Sequence, residues 1–155
     1  MKVATTLKGT LVMGAAQQSS DEEVLENIKR SNISAKAYAD LLAFMNKTNK
    51  KAKTFTEFIL GIPGDSKKKH FLSLKHGVDN KVNTIRMFQA ILLSGTEMAS
   101  PASREKFKLS TKYRVITGAV GKYQFGKDNI PICEVEEIIV CNKDMTFDDY
   151  VSCRV

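Results

Sequence analysis

The sequence predicts an α+β fold in a single domain over residues 1–155, with an antiparallel sheet of about five strands and three helices packed on it. Three observations support this prediction. The length of 155 residues is typical of one domain, and 43% hydrophobic with 26% charged residues is an ordinary globular composition. Apolar residues recur at helical spacing in three segments, whereas they alternate with polar residues in the last third of the chain.

The first part of the chain predicts one strand and two helices. Alternation over residues 3–13 indicates a strand. Ser20 and Glu23 have the spacing of a capping box, which predicts a helix over residues 21–30. Ser34 is the expected cap of a second helix, whose apolar residues recur at helical spacing up to residue 45.

The middle of the chain predicts a hairpin followed by a longer helix. Residues 55–62 are apolar and aromatic, residues 63–66 are turn formers, and residues 70–74 are again strand-like. We therefore expect a hairpin with a strongly basic loop. Asp79 or Asn80 caps the third predicted helix, which ends at Ser94 and Gly95.

The last third predicts a second hairpin. A loop is expected over residues 96–104, strand material over 112–125, a turn over 126–129 and a strand over 131–141. The acidic segment 142–155 is expected to lie at the periphery, with a short helix at residues 146–151.

Charge is distributed unevenly along the chain. The 24 Lys and Arg residues outnumber the 17 Asp and Glu residues, which gives a net charge of +7. Between residues 47 and 75, eight lysines stand against two acids, whereas residues 128–155 carry seven acids against two basic residues. A basic surface of this kind favours an acidic partner, either nucleic acid or an anionic membrane.

The leading functional prediction is a non-catalytic binding domain that contacts RNA or single-stranded DNA by neutralising phosphates. Lysines on both sides of the predicted hairpin would form one surface, and aromatic rings among them would stack on bases. The candidate contact residues are Lys47, Lys50, Lys51, Lys53, Lys67, Lys68, Lys69 and Lys75, with Tyr38, Phe55 and Phe71 as candidate stacking residues. The alternative is that the lysines form a solvated face and the aromatic residues belong to the core.

Three other kinds of site are disfavoured. Two helices before a basic hairpin resemble the order of a winged helix, but the second helix offers only Lys36 for reading bases. Residues 61–67 contain the glycines, hydroxyl and lysine of a phosphate loop, but a predicted strand follows them instead of a helix. His70 and His76 lack metal-ligand spacing. We therefore predict no catalytic residue, no metal and no cofactor.

The second functional prediction is a structural protein that self-associates. The order of elements, the lysine-rich loop and the acidic end resemble the architecture of negative-strand virus matrix proteins, although the proline-rich late-domain motif of such proteins is absent. The resemblance implies binding to an anionic membrane surface and a ribonucleoprotein. It also implies a homo-oligomer, in which the acidic segment of one copy meets the basic surface of the next. A third hypothesis is a small enzyme with a site assembled from distant residues.

The cysteine pattern and the apolar runs bear on the compartment. Cys133, Cys141 and Cys153 form no C-x-x-C pair, which indicates reduced thiols. The first residues lack the long apolar run of a signal peptide, and the longest apolar stretches fall far short of the roughly 20 residues of a membrane span. We therefore predict a cytoplasmic, intracellular protein, which is compatible with a viral or phage origin.

Overall fold

The computed structural model of the chain describes Thr6 and residues 13–48 and 54–155. These residues form two sheets, one of three parallel strands in the order β1-β2-β3 and one of two antiparallel strands, β4 and β5. The α+β class is confirmed. The expectation of a single antiparallel sheet of about five strands is wrong, because the three strands of the first half run parallel.

Strands and helices alternate through the first two thirds of the chain, and a long hairpin follows. The elements in chain order are β1 (Met13–Gln18), α1 (Glu22–Asn27), α2 (Ala35–Thr48), β2 (Thr54–Leu60), α3 (Lys67–Asp79), β3 (Thr84–Gln89), a 3-10 helix (Glu97–Ala99), α4 (Pro101–Phe107), β4 (Ser110–Phe125), β5 (Asp128–Cys141) and α5 (Phe147–Ser152). Parallel neighbours require crossover connections, and α1, α2 and α3 lie in the connections of the parallel sheet.

The first two predicted helices are confirmed, with a different cap on the first. Asp21 caps α1, since its side chain accepts a hydrogen bond from the backbone N–H of Val24, whereas the Ser20 hydroxyl meets that of Ser73. Ser34 accepts from the backbone N–H of Ala37 at the start of α2, as predicted. The predicted strand at residues 3–13 lies outside the described residues, apart from Thr6, which is helical, and the first residue of β1.

Residues 54–89 form a β-α-β unit, so the predicted basic hairpin and the predicted third helix are both wrong. Gly61 and Gly64 turn the chain with φ of +87° and +83°, and Ser66 then caps α3 by accepting from the backbone N–H of Lys69. Residues 84–89 pair with β2 as a parallel strand. The β-branched and aromatic residues of this segment, among them Ile85 and Phe88, suit a strand.

The core consists of two clusters of buried side chains, and each cluster includes a residue at or just after the end of β2. Phe58 and Leu60 are buried on one face of β2, and α3 crosses that face at Gly77, whose missing side chain leaves room for Ile85. A first cluster joins Val24, Ile62, Ala90, Leu92 and Ile139, and a second joins Leu60, Val140, Met145, Tyr150 and Cys153. The acidic C-terminal segment therefore contributes three buried side chains to the core.

The predicted second hairpin and the short final helix are confirmed as β4, β5 and α5, with the hairpin turn shortened to Gly126 and Lys127. The expected loop at residues 96–104 contains the 3-10 helix and the start of α4, which Ser100 caps with a proline directly after it. Among the helices that the structure describes, none has the length and apolar content that crossing a bilayer requires.

Candidate interaction surfaces

The distal part of the hairpin stands clear of the core. None of residues 112–135 is buried, and only Ile116 and Ala119 are half-buried. We call this segment the arm. At its base, β5 pairs with the stretch after β3: the N–H of Ile139 donates to the carbonyl of Ala90, and the N–H of Leu92 donates to the carbonyl of Glu137. The arm therefore extends from a base that is hydrogen-bonded into the core.

One face of the arm combines apolar and acidic side chains. Tyr123 lies opposite Ile130, and Phe125 lies opposite Asp128, so these four share a face. Alternation along β5 adds two more residues to it. The apolar–acidic face of the arm consists of Tyr123, Phe125, Asp128, Ile130, Ile132 and Glu134. The opposite face carries Val120, Lys122, Gln124, Asn129, Pro131 and Cys133.

The outer side of α3 is a second exposed surface, and it combines apolar and basic side chains. Phe71, Leu72 and Val78 are between 48% and 64% exposed, although each is a large hydrophobic residue. Helical geometry places Lys67, Lys68 and Lys75 on the same side. We call these six residues the apolar–basic face of α3.

The predicted lysine surface is only partly present. Lys67 and Lys68 are exposed, and no carboxylate of the described residues lies within ion-pair distance of either. Lys69 instead pairs with Asp21 at 3.1 Å and with Glu23 at 2.6 Å. Partial burial acts to lower the pKa of Lys69, but its bonds to the two carboxylates outweigh that effect and raise the pKa. The positive charge of Lys69 is therefore already neutralised.

The other predicted lysines fall into three groups. Lys75 pairs with Asp79 at 2.6 Å on the surface of α3. Lys47 is exposed near the end of α2. Lys50, Lys51 and Lys53 lie outside the described residues. Among the described lysines of the prediction, Lys67 and Lys68 are thus brought together on one helix with no acidic neighbour in contact.

Of the three candidate stacking residues, only Phe71 presents an open ring. Tyr38 is buried, its ring stacks on that of His76 with 6.1 Å between centroids, and burial raises the pKa of its hydroxyl. Phe55 is half-buried, and the guanidinium of Arg86 lies 4.3 Å from its ring centroid. Two of the rings are therefore committed to contacts within the protein.

The loop from β2 to α3 has the strand-loop-helix order of a phosphate loop, which the sequence does not predict. Two of its backbone N–H groups are nevertheless occupied. Asp65 is only 2% exposed, and its carboxylate accepts from the backbone N–H groups of Gly61 at 3.3 Å and Ser66 at 2.9 Å. The carboxylate of Asp65 thus holds the turn together, and its negative charge would oppose the binding of a phosphate beside it.

A cavity of about 770 Å³ opens beside the carboxyl end of β1, between α1, α3 and the loop before α2. Gln17 lines it and is 4% exposed, and no described residue donates to its side-chain oxygen. The side-chain oxygen of Asn32, which also lines the cavity, is likewise without a donor. Both oxygens are themselves shielded from solvent, so neither is open to a molecule that enters the cavity.

The arm is the surface that sequence reasoning missed. The sequence predicts its strands correctly, and the alternating pattern places Glu134 and Glu136 on one strand face. The other sequence feature that could have pointed to the arm is its large number of apolar residues, which alternate with polar ones along both strands. Because apolar residues in strands usually face a core, the sequence could not show that nothing in the described chain covers them.

Comparison with known protein families finds no family model that matches this chain. Comparison with curated proteins finds no significant match. In the described part of the chain, no three His, Cys, Asp or Glu side chains are grouped so that they could hold a metal ion.

Proposed function

We propose that this chain is a structural protein that self-associates, and that the arm is the element that contacts a second copy. One observation carries the proposal. Eight large hydrophobic side chains of the arm are between 47% and 69% exposed: Tyr113, Val115, Val120, Tyr123, Phe125, Ile130, Ile132 and Val135. At on the order of 100 Å² each, the four that share the apolar–acidic face, Tyr123, Phe125, Ile130 and Ile132, offer about half of the roughly 800 Å² that one partner buries in a typical stable interface.

The charge of the apolar–acidic face favours a protein partner over a polyanion, although the arm as a whole carries four basic residues against two acids. Asp128 and Glu134 share the face of its exposed rings, and carboxylates there repel phosphates and anionic lipid headgroups. A basic protein surface would complement this face, and this chain is itself basic, with a net charge of +7. A second copy therefore fits the apolar–acidic face better than nucleic acid or a membrane does.

The test compares the intact chain with a shortened-arm variant by sedimentation velocity over a range of protein concentrations. Val115 and Val135 pair directly, so residues 116–134 can be replaced by an Asn-Gly turn without disturbing the base. We expect the intact chain to form oligomers whose mass rises with concentration, and the shortened chain to stay monomeric with an unchanged melting temperature. An intact chain that is monomeric throughout would overturn the proposal.

A separate observation supports a second function, binding of RNA or single-stranded DNA by α3. Lys67 and Lys68 are unpaired among the described residues and lie in the first turn of the helix, where the helix dipole adds positive potential. Phe71, one turn further on, offers an exposed ring for stacking on a base. This surface is smaller than the sequence predicted, since Lys69 and Lys75 are neutralised by carboxylates.

A further inference from the structure

We infer that the arm of one copy docks on the apolar–basic face of α3 in a second copy. The inference rests on the proposed self-association and names the surface that receives the arm. It would account for two features at once: an arm whose hydrophobic side chains nothing in the described chain covers, and a helix whose hydrophobic side chains point to solvent.

The apolar parts of the two surfaces match in kind and in length. Along α3, Lys67 to Val78 spans about 17 Å at 1.5 Å per residue. On the arm, Gly121 to Phe125 and the opposing residues span about 13 Å at 3.3 Å per residue. The exposed rings and branched side chains of the arm can therefore lie along Phe71 and Leu72 without extending past the ends of the helix.

The charged parts of the two surfaces are complementary. The arm face carries Asp128 and Glu134, and neither has an ion-pair partner among the described residues. The helix face carries Lys67 and Lys68, which also lack one. Pairing across an interface would satisfy all four charges, and opposite charges on two approaching surfaces also speed their association.

Pairing of two arms with each other is less favourable. A symmetric contact through the apolar–acidic faces would bring Asp128 and Glu134 of one copy near the same carboxylates of the other, and like charges in contact oppose association. The arm-to-helix contact avoids this repulsion. It joins two different surfaces, so each copy can both give and receive an arm, and the assembly extends head to tail or closes as a ring.

The docking surface overlaps the residues proposed to bind nucleic acid. Lys67, Lys68 and Phe71 cannot contact an arm and a phosphate backbone at the same time. Self-association and nucleic-acid binding therefore exclude each other at this helix. A single-stranded oligonucleotide should dissociate the assembly at low salt, where its contacts with lysine are strongest.

The test uses two charge-reversed variants. One carries Lys67→Glu and Lys68→Glu, so that both of its surfaces are acidic, and the other carries Asp128→Lys and Glu134→Lys, so that both are basic. We expect each variant alone to be monomeric, because its helix repels its arm. Their equimolar mixture should associate as the intact chain does, because each arm then meets a helix of opposite charge. A variant with Lys122→Glu, on the opposite face of the arm, is the matched control and should associate alone.

Sedimentation velocity distinguishes the outcomes, and circular dichroism confirms that each variant folds. If both variants associate alone like the intact chain, while shortening the arm abolishes association, the arm binds elsewhere and the inference is wrong although the proposed function stands. If the mixture stays monomeric although the intact chain associates, the inference that charges of the arm pair with charges of α3 is wrong. If the intact chain itself is monomeric, the proposed function and the inference both fail.

Discussion

Arg104 on α4 donates two hydrogen bonds to the carboxylate of Glu137 on β5, each 2.7 Å long. The hydroxyl of Thr111 donates to the same carboxylate at 2.6 Å. Glu137 lies where β5 leaves the core and the arm begins. Paired hydrogen bonds between a guanidinium and a carboxylate fix the relative orientation of the two groups. This contact therefore ties α4 to the base of the arm.

The first prediction concerns acid stability. The hydrogen bonds from Arg104 and Thr111 lower the pKa of Glu137 to about 2, below the ordinary carboxyl value of the unfolded chain. Because the folded state holds the proton less tightly, this pair stabilises the fold fully above about pH 5. That contribution declines as the pH falls from there towards 2. Urea unfolding measured between pH 7 and pH 3 should show the decline.

Glu137→Gln removes the charge and keeps the shape of the side chain. We expect this variant to be less stable than the intact chain at pH 7 and to lose less stability on acidification. Glu105→Gln, at an exposed position of α4, is the control and should follow the intact chain. Parallel pH curves for the Glu137 variant and the intact chain would show that the pair does not contribute.

The second prediction concerns the contact of α3 with the sheet. A Cβ at Gly77 would lie 2.9 Å from the Cδ1 of Ile85 and 3.3 Å from the ring of Phe58. Gly77→Val should therefore push α3 away from the sheet and reduce the free energy of unfolding by roughly 1–3 kcal/mol. Chemical denaturation measures the change. Val78→Ala, at the exposed neighbouring position, is the control, and equal stability of the two variants would contradict this packing.

The third prediction concerns thiol reactivity. Cys133 is exposed on the arm, whereas Cys153 is buried in the core and burial raises the pKa of its thiol. Maleimide should therefore modify Cys133 rapidly at neutral pH and Cys153 only on unfolding. Mass spectrometry of digested protein reports each rate. Cys133 lies opposite Val120, away from the apolar–acidic face, so its rate should not fall when the protein associates. Strong protection of Cys133 from maleimide in the oligomer would show that the second copy covers the opposite face of the arm, which would contradict the proposed contact.

The fourth prediction concerns nucleic-acid binding. Lys67→Ala with Lys68→Ala should weaken binding of a single-stranded oligonucleotide. The slope of log affinity against log salt should become shallower by about 0.7 for each phosphate that the variant no longer neutralises. Lys75→Ala should change the slope little, because Asp79 already neutralises this lysine. Fluorescence anisotropy at several salt concentrations measures both. If the intact chain does not bind the oligonucleotide at low salt, the proposed nucleic-acid function is wrong.

Local patterns in the sequence were sufficient to predict α1, α2 and the hairpin of β4 and β5. Helix caps such as Ser34 and alternating residues over β4 and β5 act between near neighbours, so the sequence alone reveals them. The β-α-β unit was not predictable in this way. The apolar residues of α3 include Phe71 and Leu72, which face solvent, so its pattern does not show the usual buried stripe.

The candidate site was predicted less well than the fold. Counting lysines identified Lys67 and Lys68, but the ion pairs of Lys69 with Asp21 and Glu23 join residues far apart in sequence. No local pattern could reveal that neutralisation. The exposure of the arm could not be predicted either. Its strands follow from the local pattern, but whether other elements cover them depends on the whole described fold.

The contact between arm and helix is tested most directly by disulfide trapping between two differently labelled copies. In a background with the native cysteines replaced by Ser or Ala, one copy carries Phe71→Cys with ¹⁵N labelling, and the other carries Ile130→Cys without it. Under mild oxidation we expect a disulfide between the two introduced thiols, detected by mass spectrometry as a peptide pair of mixed isotope content. Gln124→Cys, on the opposite face of the arm, should form no such pair. Equal trapping at positions 124 and 130, or none at either while the protein is oligomeric, would contradict docking of the arm on α3.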